Sequence, residues 1–317
     1  MRNSKHHDRT SFQKKGCKEE LNVNNDNLLE EQAMNLLKDG KVIEAEKIYK
    51  QLISKGTKNY IVYGNLAVLL GINGNINQMI ELIKKALDYN PYYAEGYYNL
   101  GNAYGEKGFI EDSIICYRKA LKIKENYIEA EYNLANLLKK QGDIISSIKG
   151  YEKILKIKPN FFPACASLGN ALKESGEKES AVKYYNKALQ IKSDSAEILI
   201  NLGNILLSNN ELKEATDLFI KAISIDSKYA EAHYNLGVIY LRQKNYDNAV
   251  NSFNFAIKLK PSLTEAHNNL GTAKKGLNQI KDAIIFYKNA IKINPYFSEA
   301  YNNLGVALKS LDDIDNA

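Results

Sequence analysis

The chain has 317 residues, of which 44% are hydrophobic and 25% are charged, proportions that are ordinary for a folded globular protein. No run of 18 apolar residues occurs and no apolar segment follows the basic N-terminus, so the sequence predicts neither a membrane span nor a secretory signal. Half of the net charge of +6 lies in residues 1–25, where six Lys and Arg stand against three acidic residues. We therefore expect a disordered basic arm, and no binding of nucleic acid by the nearly balanced remainder.

The chemistry-bearing residues form no recognisable site. Cys17, Cys116 and Cys165 are widely spaced without a CxxC pair, which indicates neither a disulfide framework nor a zinc site and is typical of a cytoplasmic protein. No phosphate-binding GxxxxGK[ST], no HExxH and no GxSxG motif occurs. His233 and His267 occupy the same position of two adjacent repeats, where packing is expected rather than metal binding. The sequence predicts no catalytic residue, no metal and no cofactor.

From residue 26 onward the sequence repeats every 34 residues without insertion or deletion. The repeats are 26–59, 60–93, 94–127, 128–161, 162–195, 196–229, 230–263, 264–297 and a partial 298–317. The most regular position is a leucine, at Leu66, Leu100, Leu134, Leu168, Leu202, Leu236, Leu270 and Leu304. The next residue is always Gly or Ala, which we expect to let two helix backbones approach closely, and an aromatic residue follows further on in most repeats.

Each repeat is predicted to form two helices. Apolar residues recur at helical spacing in two stretches, as in Ala130, Leu134 and Leu138 and then Ile148 and Leu155. A glycine separates the stretches in five repeats, where it can adopt a positive φ and end the first helix: Gly40, Gly74, Gly108, Gly142 and Gly176. The first repeat keeps this glycine but lacks the leucine, as a capping repeat should.

On these residues the chain resembles the tetratricopeptide repeat family. The resemblance covers everything after about residue 26. It implies an all-α fold, a right-handed superhelical solenoid of antiparallel helix pairs with eight repeats and a partial ninth. It also implies that the first helices of successive repeats line a concave surface and that the protein binds other polypeptides.

The residue before the leucine is the most informative position for function. It is Asn in seven of eight repeats and Ser167 in the other; we call the seven the Asn column: Asn65, Asn99, Asn133, Asn201, Asn235, Asn269 and Asn303. Three residues later stands a second set, the downstream Asn set: Asn102, Asn136, Asn170 and Asn204. Asn is a poor residue for a helix interior, so these positions need an explanation.

Two interpretations of the Asn column stay open. In one, the amides pair with the backbone of an extended polypeptide in a groove, since an amide offers both a donor and an acceptor. In the other, they form bonds within the array. Three tyrosines directly precede members of the column: Tyr98, Tyr132 and Tyr234. They could stack on the side chains of a partner or be ordinary residues at the edge of the solvent-exposed surface.

The contexts NLGN and NLAN also resemble the Asn ladder in the repeat arm of O-linked N-acetylglucosamine transferases, where the ladder holds protein substrates. That resemblance implies an alternative function, the substrate-recognition arm of such a transferase. A clamp for chaperone C-terminal carboxylates is not expected. It needs Lys or Arg, whereas the second residue of most repeats is acidic: Glu95, Glu129, Glu197, Glu231, Glu265 and Glu299.

The last repeat stops at its twentieth residue, where its second helix would begin, leaving Leu304, Leu308 and Leu311 partly uncovered. Three explanations stay open: the chain is a fragment of a longer protein whose next segment could be catalytic, its open end binds a second copy or a partner, or the last half-repeat frays. The overall prediction is a non-enzymatic scaffold with protein or peptide partners.

Overall fold

The computed structural model describes residues 26–315, so the predicted basic arm at 1–25, with Cys17, and the last two residues lie outside the described residues. The described chain folds into seventeen α-helices and contains no strand, which confirms the predicted all-α class. The helices are α1 (26–38), α2 (Val42–Ser54), α3 (Tyr60–Ile72), α4 (Ile76–Tyr89), α5 (Ala94–Glu106), α6 (Ile110–Ile123), α7 (Ile128–Lys140), α8 (Ile144–Ile157), α9 (Phe162–Glu174), α10 (Lys178–Ile191), α11 (Ala196–Ser208), α12 (Leu212–Ile225), α13 (Ala230–Arg242), α14 (Tyr246–Leu259), α15 (Thr264–Gly276), α16 (Ile280–Ile293) and α17 (Ser298–Asp315).

The chain divides into two compact units, Met1–Asp143 with α1–α7 and Ile144–Ala317 with α8–α17. Within each unit the two helices of a repeat are joined by a turn of three residues, as between α5 and α6 and between α13 and α14. A turn this short makes the two helices antiparallel neighbours. The second helices bury one apolar stripe; α4, for instance, buries Met79, Ile80, Ile83 and Ala86. First helices such as α11 are buried on more than one face, because they contact helices on both sides.

The turn between the two helices of a repeat requires one residue with a positive φ. Gly74 has a φ of 79°; its N–H donates to the carbonyl of Gly71, and the next N–H donates back to Leu70, the pattern of a Schellman cap. Later repeats lack this glycine and place Asn210, Lys244 and Asn278 at φ values of 65°, 57° and 61°. The lysine is the least suited of the three, because Asn tolerates this conformation better than longer side chains do.

In five repeats the glycine after the leucine lies against an aromatic ring of the second helix: Gly101, Gly169, Gly203, Gly237 and Gly271. A Cβ added at Gly237 would lie 2.7 Å from the ring of Phe253, and one at Gly203 would lie 2.9 Å from that of Phe219. Both rings are completely buried. The close approach predicted from the sequence is therefore mainly to a ring of the second helix, and at Gly271 it is also to the backbone carbonyl of Ala283, 3.1 Å from the added Cβ.

The last described helix differs from the other first helices. α17 has 18 residues, whereas α13 and α15 have 13, and it continues through the region where the sequence places a turn and the start of a second helix. The residue at the turn position is Asp312, where earlier repeats have Gly, Asn or Lys.

None of the helices formed by residues 26–315 combines the length and the apolar character that a membrane crossing requires.

Candidate functional site in the first helices

The Asn column lies on the first helices of the repeats, and every member is half-buried. Asn65, Asn99 and Asn133 belong to the first unit, on α3, α5 and α7. The second unit holds the remaining members on α11, α13, α15 and α17: Asn201, Asn235, Asn269 and Asn303. The downstream Asn set is half-buried as well, on α5, α7, α9 and α11.

In the first unit, amide side chains connect neighbouring first helices. Asn133 on α7 donates from Nδ2 to Oδ1 of Asn102 on α5, at 3.0 Å. The hydroxyl of Tyr117, on α6, donates to the same Oδ1 at 2.6 Å. Asn65 donates to the hydroxyl of Tyr49 at 3.1 Å. Three helices thus meet at the Oδ1 of Asn102.

The second unit repeats this arrangement. Asn201 on α11 donates from Nδ2 to Oδ1 of Asn170 on α9, at 3.1 Å, and the hydroxyl of Tyr185 donates to the same oxygen at 2.7 Å. Lys173 adds a bond from Nζ to Oδ1 of Asn201, at 2.7 Å. Burial raises the pKa of Tyr185, so the hydroxyl stays neutral and remains a donor.

The next repeat shows how the network adapts when the aromatic residue is Phe219, which has no hydroxyl. Asn235 still donates to Oδ1 of Asn204, at 2.6 Å. Asn204 in turn donates from Nδ2 to Oε1 of Glu231, at 2.7 Å. The network therefore reaches the acidic residue at the second position of the next repeat.

The last part of the second unit contains a buried amide. Asn268 is 1% exposed, donates to Oε1 of Glu299 at 3.0 Å and accepts from Nδ2 of Asn303 at 3.0 Å. Asn269 donates to the hydroxyl of Tyr234 at 3.3 Å. Asn268 precedes the Asn column and was not singled out from the sequence. A polar residue where the six preceding repeats have Gly, Tyr, Ala or Ile was the signal that could have identified it.

The Asn column therefore does form bonds within each unit, but these bonds do not exhaust its capacity. Among residues 26–315, no hydrogen bond engages Oδ1 of Asn133 or of Asn235, and Asn99 makes no side-chain hydrogen bond. An amide carries two donor hydrogens and an acceptor oxygen. Each bonded amide is thus held in one orientation and keeps groups that can bind a partner.

The three tyrosines that precede the column are half-buried. The ring of Tyr98 lies 5.1 Å from that of Tyr127 and 6.0 Å from that of Tyr117, and the ring of Tyr234 lies 6.0 Å from that of Phe253. Tyr132 stands at the equivalent position of α7. Tyr98 and Tyr234 therefore belong to intramolecular aromatic clusters and keep only part of their surface for a partner.

The two buried histidines each lie within hydrogen-bond distance of a carbonyl in the turn between two repeats. Nε2 of His233 lies 3.1 Å from the carbonyl of Ser227, and Nε2 of His267 lies 3.0 Å from that of Pro261. Tyr63 uses its hydroxyl in the same way. Nδ1 of His267 is buried without a partner. The described residues contain no group of three or more His, Cys, Asp or Glu suited to a metal ion.

Comparison with known families decides the class of this protein. A TPR repeat model matches residues 106–142, 169–210 and 203–244, and three tetratricopeptide repeat models match 60–93, 128–161, 230–263, 264–297 and 286–317. Together these matches leave only 94–105 and 162–168 uncovered beyond residue 59. The chain is a tetratricopeptide repeat protein. Such repeats are typical of protein-interaction scaffolds, and none of the matching families is enzymatic.

Solved structures of other tetratricopeptide repeat proteins share the fold. The C-terminal part of a TPR repeat-containing protein from Cytophaga hutchinsonii is 17% identical with a TM-score of 0.64, over 76% of this chain and 98% of that one. A tetratricopeptide repeat protein from Parabacteroides merdae is 16% identical with a TM-score of 0.57, over 80% and 100%. YrrB, described as a TPR protein with an unusual peptide-binding site, is 21% identical with a TM-score of 0.52, over 59% and 96%. No curated protein matches the chain significantly.

Proposed function

We propose that this tetratricopeptide repeat protein is a non-catalytic scaffold that binds extended polypeptide segments along the Asn column of each unit. The observation that carries the proposal is the hydrogen-bonding state of the column. Asn133 and Asn235 are each held by a donated bond to the preceding first helix while their Oδ1 atoms accept nothing within the described chain. Peptide binding by the structurally similar YrrB is consistent with this use of the fold.

The spacing of the column suits a polypeptide backbone. Packed helices lie about 8–10 Å apart, and an extended chain advances about 3.3–3.6 Å per residue. One amide per repeat would therefore meet the backbone about every third residue, contacting N–H and C=O groups rather than side chains. Each neutral hydrogen bond contributes only about 0.5–1.5 kcal/mol, so a scaffold of this kind binds with modest affinity and needs several repeats at once.

Selection from a random dodecapeptide phage library by the full chain tests the proposal. Peptides recovered by the wild-type protein should lose binding to a variant carrying Asn99, Asn133, Asn201 and Asn235→Ala. The matched control replaces four exposed asparagines on second helices by alanine: Asn77, Asn186, Asn251 and Asn254. It should bind like the wild type.

Circular dichroism must show that both variants remain helical. Because the substitutions in the Asn column remove internal bonds, they should also lower the free energy of unfolding, by about 0.5–1.5 kcal/mol for each bond lost. Peptide binding that is equal in the column variant and in the control variant, with both folded, would refute the proposal and leave the column a purely structural feature.

The alternative function, the substrate-recognition arm of a transferase of the O-linked N-acetylglucosamine type, rests on the NLGN and NLAN contexts alone. It requires a catalytic domain in a longer parent or in a partner. Sequencing the transcript beyond the codon for Ala317 tests it, since an immediate stop codon without a neighbouring glycosyltransferase gene would argue strongly against it. A cytoplasmic location remains a prediction from the cysteine pattern.

A further inference from the structure

Four carboxylates follow the Asn column through the second unit. Glu197, Glu231, Glu265 and Glu299 each occupy the second residue of a repeat, at the start of α11, α13, α15 and α17, and all four are exposed. None of the four forms an ion pair within the described residues. No Lys or Arg among residues 26–315 therefore pairs with them directly.

Direct contacts place these carboxylates beside the amide network. Glu231 accepts from Asn204 at 2.7 Å, and Glu299 accepts from Asn268 at 3.0 Å. Each of the four carboxylates also stands four residues before the member of the Asn column on its own helix, a spacing that puts both side chains on one face of the helix.

The charges of three of these carboxylates help to raise the pKa values of three tyrosines. After burial, the charge of Glu197 is the second cause that raises the pKa of Tyr185. Glu265 has this effect on Tyr234, and Glu299 contributes to raising the pKa of Tyr287. Glu197, Glu265 and Glu299 are therefore near these hydroxyls.

Basic residues at the other end of the first helices do not neutralise this row. Arg242 follows Glu231 by eleven residues on α13, which corresponds to about 16 Å at the rise of an α-helix. That separation exceeds the Debye length of about 8 Å at physiological ionic strength. Lys173 lies on α9. The second residue of α9 is Pro163 rather than Glu, so the row of carboxylates begins on the next first helix, α11. Lys228 and Lys260 lie in the turns before α13 and α15, but neither forms an ion pair with a carboxylate of the row. The row is therefore not neutralised by direct pairing within the described residues.

The period of the carboxylates selects a conformation of the ligand. Side chains of a β-strand alternate between two faces, so residues three apart lie on opposite faces. Only every second one of them could face the carboxylates. A polyproline II helix has three residues per turn and rises about 9.3 Å per turn, so every third side chain lies on one face. This rise falls within the spacing of about 8–10 Å between packed helices.

We propose that the second unit binds an extended polypeptide carrying Lys or Arg at every third position, with its backbone on the Asn column and its cationic side chains on Glu197, Glu231, Glu265 and Glu299. This inference rests on the proposed function and specifies its partner. Basic residues supply the missing counter-charges, and the period of three matches one contact per repeat.

Fluorescence anisotropy with a labelled peptide of four Lys-Ala-Pro triplets tests the inference on the full chain. The wild type should bind this probe at least about tenfold more tightly than the corresponding Glu-Ala-Pro peptide, or than a peptide of the same composition with its four lysines consecutive. Raising NaCl from about 0.05 to about 0.5 M should weaken binding of the probe, because exposed ion pairs are screened by salt.

Substitution of the four carboxylates by Gln should weaken binding of the probe at least about tenfold, since four exposed ion pairs are lost together. Gln keeps an acceptor oxygen for Asn204 and Asn268, so the internal network is retained. The matched control makes the same change of net charge at four exposed acids of second helices: Glu179→Gln, Glu214→Gln, Asp217→Asn and Asp247→Asn. It should change the affinity by less than about twofold.

Three outcomes would overturn the inference: no binding of the Lys-Ala-Pro probe to the wild type, undiminished binding by the Gln variant, or an equal loss in the control, which would indicate a net-charge effect only. The library-selected peptides test the Asn column separately from the row of carboxylates. If library-selected peptides still bind the wild type and are lost by the Asn-to-Ala variant, the proposed function stands while its basic partner is rejected.

Discussion

One added methyl group distinguishes two glycines that have the same local sequence. Gly271 and Gly305 both follow Asn-Asn-Leu on a first helix and precede Thr or Val and then Ala. A Cβ at Gly271 would lie 2.7 Å from the ring of Tyr287 and 3.1 Å from the carbonyl oxygen of Ala283. A Cβ at Gly305 would meet no atom within 4 Å. Substitution by alanine should therefore have opposite effects at the two positions.

Two opposing terms set the magnitude. Alanine is more favourable than glycine in a helix interior by about 1 kcal/mol, and at Gly305 this gain is unopposed. At Gly271 it is offset by overpacking, which costs about 1–3 kcal/mol in a well-packed core. The cost should be near the upper end because the ring of Tyr287 is only 1% exposed and a backbone carbonyl cannot swing away. We expect Gly271→Ala to destabilise by about 1–2 kcal/mol and Gly305→Ala to stabilise by about 0.5–1 kcal/mol.

Urea unfolding followed by far-UV circular dichroism measures both changes. The midpoints should move in opposite directions while the dependence on urea concentration stays unchanged, since neither variant alters the surface exposed on unfolding. If repeats near the end of the array unfold separately, hydrogen exchange of α15 and α17 gives the local free energies instead. Midpoints that shift in the same direction would refute the packing argument, because helix propensity alone predicts two gains and a general intolerance of alanine predicts two losses.

Three further predictions concern the turn, the thiols and the tyrosines. Lys244→Gly should raise the free energy of unfolding by about 1 kcal/mol, measured by urea unfolding, because glycine adopts the observed φ of 57° without a steric penalty. In a Cys17→Ser background, Cys116 and Cys165 should react with a thiol reagent at about pH 8 only after unfolding; burial raises both pKa values, that of Cys116 to about 11. Burial raises the pKa of Tyr185 above its ordinary 10.0, so its contribution to stability is complete below pH 10 and is lost at higher pH as the unfolded chain ionises first. Tyr185→Phe should reduce the loss of stability between about pH 9 and pH 11 in urea unfolding.

The fold class was predictable because the same pattern recurs in every repeat. An ambiguous assignment of helix or strand in one repeat is resolved by the others. Apolar residues at helical spacing, recurring every 34 residues, leave no room for strands, and the same leucine recurs in eight repeats. Single positions were less predictable. Nothing in the local sequence indicates that Lys244 adopts a positive φ; the packing of the helices on either side imposes that turn on a residue that does not favour it.

The candidate site was predictable as a set of positions but not as a network. The period of the asparagines shows that they share a face of the first helices, but not which amide reaches which neighbour. That depends on the angle between successive first helices, which no single repeat encodes. The acidic second residues were read only as evidence against a carboxylate clamp, whereas the contact of Glu231 with Asn204 places them beside the column. Their own recurrence every 34 residues was the signal that connects them to it.

The two interpretations of the Asn column are compatible because one arrangement serves both. Asparagine lowers the stability of a helix, but Asn133 recovers part of that cost by bonding to Asn102 on the preceding first helix. The same bond fixes the side chain before any partner arrives, so binding loses less side-chain entropy than it would with a free amide. Alanine at this position would give a better helix but would neither connect the repeats nor leave an oriented acceptor. Among residues 26–315 the Oδ1 of Asn235 accepts no hydrogen bond, so the bond that orients this amide leaves its oxygen available to a partner. The carboxylates beside the column lie in the first turns of their helices, where a negative charge stabilises the helix through its dipole. Because they form no ion pair within the described residues, they can serve this role and bind a cationic partner as well.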